Sequence, residues 1–421
     1  MSELRDLLRR VERDLQRQGS GAEQSHPAAL WRQLVELRER AEHGDPGDPE
    51  LLGAAHALAH QTDDIAAPPP VRTVPARDRR GGGGAGRSRA SAADADRTAA
   101  ETVERLVTAV AAAIRAPSLH NSQPWRFVVR ADRVDVRLDP ARRLDVADPD
   151  GSAARIACGA AVHNLTLAFP VLLGREADVT VLPDRSDPDL VARLRPGQAR
   201  PATPRERAGY AAIPRRRTNR YPFRDDVPVQ PGQYWALGEV ARAEHGWLTV
   251  ITDADRRRRI GAMVAEADRT LSADPAYRAE LASWVRRDPH TDDGVPTASA
   301  GIRPEVGDPL RGRDYGGRTR RPGRGFEAEP LLAVLGGPGE RAADQITVGR
   351  ALQAVLLAAT EAGLAVSLYS QPFEVPAMRA RLRRLIDRLG APYLVLRIGY
   401  PSRPSPTTPR RPPPAVVDRA D

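Results

Sequence analysis

The chain contains no lysine: all 64 basic residues among its 421 are arginine. It has a single cysteine, Cys158, and only 4% aromatic residues. One thiol cannot build an intramolecular disulfide framework or a multi-cysteine zinc site, and it points to a reducing, cytoplasmic setting. The missing lysine, beside 39 prolines and 34 glycines, is how a very GC-rich genome writes any protein. The net charge of +9 is therefore poor support for nucleic-acid binding. The arginine excess sits mainly in loops, between Arg72 and Arg89 and between Arg303 and Arg324. Few aromatics lie among these arginines to stack on bases, so nucleic acid is not the expected partner. No apolar run approaches the roughly 20 residues that cross a bilayer. Met1 to Arg10 is charged and helical in character, unlike a secretory signal.

Helical spacing of Leu4, Leu7, Leu8, Val11 and Leu15, and of later leucines, predicts a helical module over residues 1–65. Residues 66–96 are rich in proline, glycine and arginine and read as a flexible linker. Gly81 to Gly86 matches G-x-G-x-x-G, but no strand precedes the match and a glycine run satisfies it by chance. A first half, 97–210, is expected to contain a helix from about Thr98 to Arg115, a hairpin of 125–130 with 134–138, a helix over 152–173 and a strand near 178–182. A second half, 211–421, repeats the theme. It is expected to hold helices near 235–243, 256–271, 345–362 and 374–389, with strands near 247–252, 331–336 and 393–398. Between them, 288–325 is polar, glycine- and arginine-rich and aperiodic, the composition of a lid or a disordered insertion. Strands and helices mixed without regular βαβ alternation indicate an α+β fold.

The most informative stretch is Ala116-Pro117-Ser118-Leu119-His120-Asn121-Ser122-Gln123-Pro124-Trp125-Arg126. Pro117 stops a helix, and Trp125 opens a strand. The amides of Asn121 and Gln123 can each donate and accept, matching the alternating edge of a flat heterocycle. On residue types alone, an ordinary capped turn with Trp125 in the core is the favoured reading. A second stretch, Arg215-Arg216-Arg217-Thr218-Asn219-Arg220, places arginines and a hydroxyl where they can surround a phosphate, or form a solvated basic turn. Ser118 and His120, two residues apart in a loop, need not touch, and no acid is placed to orient the histidine, so they make a poor nucleophilic pair. Cys158 and His163 read as core residues. Asn164-Leu165-Thr166 is a glycosylation sequon with no secretory context.

The first stretch resembles the P-S-x-x-N-x-Q-P-W loop of FMN-dependent nitroreductases. In the form A-P-S-x-H-N-x-Q-P-W-R it is similar to their single-chain, dormancy-associated Acg-type subgroup, over about residues 98–415. The resemblance implies a nitroreductase-like fold whose two homologous halves are fused in one chain as a pseudo-dimer. It implies FMN as cofactor, with NADH or NADPH as reductant and a nitro compound or quinone as acceptor. Carried onto this sequence, it implicates Pro117, Ser118, His120, Asn121 and Gln123 in the loop. Arg216, Thr218 and Arg220 would grip the phosphate. Pro372 and Glu374 would lie beside flavin N5, although Val375 stands where the family commonly has glycine. Arg410 and Arg411 form a basic tail that also reaches the phosphate, or alternatively a nicotinamide phosphate. Each motif occurs once, so a single complete site is expected, with 288–325 covering either that site or its vacant mirror. The alternative within the subgroup is a catalytically silent protein that stores or senses FMN beneath a lid. The helical module over 1–65 could bind a partner or self-associate.

Overall fold

The computed structural model describes residues 89–419, except 289, 303–309, 311, 316–325 and 328, together with Val11, Leu37 and residues 53–55. The chain divides into two compact units, residues 1–86 and 87–421. In the first, Val11, Leu37 and residues 53–55 are helical, with Val11, Leu37 and Ala55 buried. The rest of the helical module, the expected linker as far as residue 88 and the glycine run at 81–86 lie outside the described residues.

The second unit opens with α1 (Arg89–Ala113), which starts inside the expected linker. Its sequence is rich in alanine, the strongest helix former. Strands β1 (Trp125–Arg130) and β2 (Arg133–Leu138) pair antiparallel about Ala131 and Asp132. Trp125, Phe127 and Val129 alternate into the core, while their neighbours face outward. Helix α2 (Ser152–Leu173) follows. The Asp148 carboxylate accepts from the amides of Ala153 and Ala154 at 2.8 and 2.9 Å and so caps its first turn. Strand β3 (Arg175–Val181) pairs with β4 (Leu190–Ala199), a strand that Pro196 and Gly197 hide in the sequence. Helix α3 (Pro204–Ala212) starts at a Thr203–Glu206 capping box.

The second half opens with α4 (Pro231–Ala243) and β5 (Trp247–Ile251). An insertion carries α5 (Ala254–Ala273), α6 (Pro275–Ser283) and the short strands β6 (Val285–Arg286) and β7 (Val295–Pro296). Then come β8 (Leu331–Gly337), α7 (Ala342–Glu361) and β9 (Ala365–Tyr369). The helix expected over 374–389 is two: a single turn, α8 (Gln371–Glu374), and α9 (Pro376–Ile386). Val375 is extended because the residue before a proline avoids helical geometry. Strand β10 (Ala391–Gly399) is buried throughout. The proline-rich tail ends in β11 (Val417–Arg419), which crosses to the first half and adds parallel to β1.

The first sheet runs β11-β1-β2-β4-β3 and the second β5-β8-β10-β9. Set aside the borrowed β11 and the two orders coincide, strand for strand: the chain is two copies of one α+β unit, fused. Their long central helices, α2 and α7, cross so closely that side chains are excluded at two points. A Cβ built on Gly159 would lie 2.2 Å from the carbonyl oxygen of Ile346, and one on Gly349 would lie 2.0 Å from that of Ile156. The two contacts are mutual, and one shift of 190 residues relates Ile156 to Ile346 and Gly159 to Gly349. A pseudo-twofold axis therefore passes through this crossing. Alone among the described residues, α2 is long and apolar enough to span a membrane, contrary to the reading of apolar runs above. Its apolarity is spent on packing instead: Leu165 and Phe169 are fully buried, in a core shared with α1 and the first sheet.

Candidate functional site

A cavity of about 350 Å³ lies between the halves. The first half contributes Ser118, His120 and Ile156 to its wall, the second Thr218, Ser367, Gln371 and Arg397, and the insertion Arg313 and Tyr315. Pro117, Asn121, Arg220, Glu374 and Arg410 line it too. Gln123, Arg216, Pro372 and Arg411 are not among its lining residues.

The loop joining α1 to β1 is strained. His120, Asn121 and Gln123 have φ of 53°, 55° and 53°, three of the six positive-φ non-glycine residues described. Such backbone persists only where its surroundings over-determine it. The Ser118 hydroxyl accepts from the Gln123 amide at 2.9 Å. Asn121 Nδ2 donates to the carbonyls of Gly294 (2.8 Å) and Pro409 (3.0 Å). Gln123 Nε2 donates to Asp292 O, and its Oε1 accepts from the Arg411 amide, both at 2.9 Å. These two amides thus hold the insertion and the C-terminal tail against the loop. Arg411 is turned away from the cavity, pairing with Asp139 at 3.4 Å and donating to Ala415 O. His120 is 2% exposed, packs edge-on against Tyr315 and is held neutral by burial and by the charges of Arg313 and Arg220.

At one end of the cavity arginines gather without a carboxylate. Arg216 is buried, and its Nη2 donates to the carbonyl of Arg115. Arg410 Nη2 donates to Ala116 O at 3.0 Å, and its Nη1 to Thr408. Arg216 Nε and Nη1 and Arg410 Nε are buried with no partner. Burial and the neighbouring guanidiniums of Arg217, Arg220 and Arg115 push Arg216 down to about 10, and burial with Arg216, Arg115 and Arg217 lowers Arg410 as well. Orphaned guanidinium donors that repel one another are built for an anion. The fourth arginine of the motif, Arg220, is committed elsewhere: it donates to Ser299 O at 3.1 Å and lies over the Tyr315 ring.

Further along the cavity, α8 presents Glu374. Its carboxylate takes a two-pronged ion pair from Arg313, at 2.5 and 2.8 Å, with side chains 6% and 5% exposed. Arg313 also donates to the Ser370 hydroxyl at 3.0 Å and meets the Tyr277 hydroxyl. Pro372 is buried in the same turn, and Arg379 donates twice to Phe373 O, fixing it. Asp148 and Asp150 line the cavity too. Burial raises Asp148 to about 6, against the pull of its two backbone amides. Arg397, 1% exposed, is clamped between the Phe223 and Phe326 rings and paired with Glu327 at 2.9 Å. Sequence reasoning missed Arg313, Asp148 and Arg397. Arg313 sits in an aperiodic stretch, and nothing in its neighbours marks it from other arginines.

The mirror position is built differently. Eleven residues, 114–124, link α1 to β1, but only 244–246 link α4 to β5. There Glu244 pairs with His163 Nδ1 at 3.0 Å and with Arg350 at 2.7 Å. Burial opposes its charge, but His163 and Arg350 outweigh burial and hold it at about 2. His163 is thus a satisfied core residue. The suggestion that 288–325 covers this mirror position is corrected: its described residues Ala300, Ile302, Gly312, Arg313 and Tyr315 line the cavity that His120 lines. Burial pushes the Cys158 thiol far up, leaving it inert.

No family model matches the chain. It is 33% identical over 319 residues to the Mycobacterium tuberculosis protein named "Putative NAD(P)H nitroreductase acg", a match covering 74% of this chain and 94% of that one. A second M. tuberculosis protein, "Putative NAD(P)H nitroreductase Rv3131", is 32% identical over 321 residues, covering 74% and 90%. Among solved structures, a nitroreductase with bound FMN from Desulfitobacterium hafniense gives a TM-score of 0.32 at 15% identity, covering 51% of this chain and 98% of that one. The FMN-dependent nitroreductase NfnB from Mycobacterium smegmatis, in complex with NADPH, gives 0.30 at 19%, covering 49% and 94%. The chain belongs to the nitroreductase-like family of these mycobacterial relatives, in its fused, two-half form.

Proposed function

We propose that the cavity holds one FMN per chain and that the protein is an NAD(P)H-dependent oxidoreductase acting on a nitro compound or quinone. The observation that carries this reading is the carboxylate-free pair Arg216 and Arg410, which share the Arg115 carbonyl and keep buried nitrogens without partners, with Arg410 on the wall of a cavity formed by both halves. The residues fit the cofactor: two buried guanidiniums match a phosphate dianion, with the Thr218 segment beside them. The strained loop, with its neutral His120, walls the space beyond. FMN, when bound, supplies acceptance of hydride from a reduced nicotinamide and its delivery to the acceptor. The protein's part is to neutralise the phosphate, hold α8 in place through Arg379 and exclude water with Tyr315 and Arg313.

A second reading, a protein that holds FMN without turning over, draws on the Arg313–Glu374 pair. A doubly bonded ion pair from the insertion closes one wall of the cavity, so a reductant needs that wall to open. Anaerobic addition of NADPH to the yellow protein separates the two: bleaching supports the oxidoreductase, persistent colour the holder. For the site itself, Arg216→Ala should weaken FMN by ~10-fold or more, since a charged hydrogen bond contributes about 1.5–3 kcal/mol. Riboflavin, which lacks the phosphate, should bind with unchanged affinity. Equal loss for both ligands would place Arg216 outside the phosphate site.

A further inference from the structure

The unpartnered nitrogens of the site are of two kinds. Arg216 and Arg410 hold charged donors, which a phosphate answers. Two neutral side chains are left over. His120 Nε2 and Gln371 Nε2 are buried, and among the described residues neither has a hydrogen-bond partner. Both residues are 2% exposed and both line the cavity, His120 from the first half and Gln371 from the second. A buried polar nitrogen left without its hydrogen bond costs stability, so each of the two calls for a ligand atom that completes it.

His120 is firmly placed for such a contact. Its ring stands edge-on to Tyr315, with centroids 5.9 Å apart at 78°, and its Nδ1 lies 3.5 Å from the Tyr315 hydroxyl. The Arg220 guanidinium lies over the Tyr315 ring at 5.1 Å and is itself anchored on Ser299 O at 3.1 Å. A cation over its ring makes the phenol the better donor of the two, so the hydroxyl hydrogen is directed at Nδ1 and the hydrogen of the imidazole sits on Nε2. Burial and the charges of Arg313 and Arg220 keep the ring neutral. Gln371 opens α8, the turn that carries Glu374, and its amide has no charge to gain or lose. Tyr315 belongs to the insertion, the wall that has to open for a visiting molecule.

We infer that His120 Nε2 and Gln371 Nε2 are hydrogen-bond donors to the oxygen atoms of the electron acceptor, and that they select molecules presenting uncharged quinone, carbonyl or nitro oxygens. This rests on the reading that the cavity holds FMN. His120 and Gln371 orient the acceptor and give up no proton; solvent supplies the one that completes its reduction. Tyr315 is a positioning residue, which fixes the hydrogen of His120 on the nitrogen that the acceptor meets.

The test loads the full-length protein with FMN, photoreduces it without oxygen and mixes it with naphthoquinone or nitrobenzene in stopped flow, so that nicotinamide access plays no part. The variants are His120→Leu, His120→Gln and Gln371→Leu. At limiting acceptor, each leucine variant should slow reoxidation by ~3- to 10-fold, the scale of one lost neutral hydrogen bond. His120→Gln, which restores an uncharged N–H, should recover most of the rate. Uptake of FMN shows that a variant folds, and reoxidation should fall further than FMN affinity does. Independently of turnover, nitrogen NMR of the histidine rings should find the hydrogen of His120 on Nε2 in the wild type and shared with Nδ1 in Tyr315→Phe. Reoxidation unchanged in both leucine variants, or a reduced wild type that neither acceptor reoxidises, overturns the inference. So does a loss of FMN and riboflavin affinity as large as the loss of rate, which would assign the two donors to the flavin carbonyls. A pH inflection in the ordinary histidine range that His120→Leu abolishes would show a proton donor instead, and a hydrogen found on Nδ1 would remove His120 from the role. A wild type that takes up no FMN refutes the cofactor reading itself, at the loading step and before any acceptor is added.

Discussion

Replacing Gly159 by alanine tests the fused, two-fold architecture at its tightest point. At an unconstrained interior helix position this change favours the helix by up to about 1 kcal/mol. Here the new methyl would lie 2.2 Å from the carbonyl oxygen of Ile346, and the equivalent methyl on Gly349 would lie 2.0 Å from that of Ile156. Backbone cannot swing aside as a side chain can, so α2 and α7 must separate by roughly 1 Å to restore normal contact. That loosens a core in which Leu165, Val355 and Leu356 are all 2% exposed or less. Overpacking of this kind costs about 1–3 kcal/mol. The expectation is destabilisation of that order for Gly159→Ala and, by the pseudo-twofold, a similar value for Gly349→Ala. The double variant should lose less than the two together, because the first displacement makes room for the second methyl. Urea midpoints at fixed slope measure all three, and FMN affinity should fall with them, since Ile156 and Leu352 line the cavity. Either single variant stabilised by the ordinary helix gain would refute the close crossing.

Arg313→Met leaves Glu374 buried without its partner, a loss that costs on the order of 3 kcal/mol at that contact. It should open the cavity wall and speed anaerobic flavin reduction by NADPH in stopped flow, and an unchanged rate would make the pair structural only. Glu244→Gln should destabilise by a similar order. The Glu244 carboxylate is held at about 2, so its contribution is complete above the ordinary carboxylate range and lost as pH falls toward 2. The gap between variant and wild type in urea should therefore be wide at neutral pH and close in acid. Asp148 has the opposite sign. Its carboxyl is raised to about 6, so wild-type stability relative to Asp148→Asn should be greatest in acid and decline as pH rises through 6, then level off. A gap that does not change with pH would refute the raised value.

The two stretches that first pointed to a site are short and dense in chemistry-bearing residues, and the fold brings Ser118, His120, Thr218, Arg220 and Arg410 to one cavity. What could not be read was which partners each side chain would choose. Asn121 and Gln123 have the donors and acceptors to meet a heterocycle, yet backbone groups more than 150 residues away in the sequence engage their amide groups. Such contacts leave no local signal. Arg411 looks like Arg410 in sequence and faces the other way, because the tail must run on toward β11 beside β1. The helix break at Val375 was legible in principle, since Pro376 announces it, but the flanking leucines and arginines keep helical spacing. Strand β4 was hidden by Pro196 and Gly197, which sit where pairing with β3 shifts register.

Duplication gave this chain two equivalent junctions between a helix and a first strand, and the structure shows how one was kept and the other closed. At the first, eleven residues form a loop with three left-handed backbones, costly geometry that a bound ligand can exploit. At the second, three residues suffice, and Glu244 brings the charge of Arg350 and the imidazole of His163 into one buried cluster. A polar group left in that crevice without a ligand would be an unpaired buried charge, so closing it with a matched cluster removes a standing penalty. The open site keeps its penalty instead: the orphaned nitrogens of Arg216 and Arg410. That imbalance is tolerable only if an anion is bound for most of the protein's working life. The arginine pair thus argues for a tightly held phosphorylated cofactor, because a site vacant between turnovers would leave both arginines buried and charged without a counter-ion.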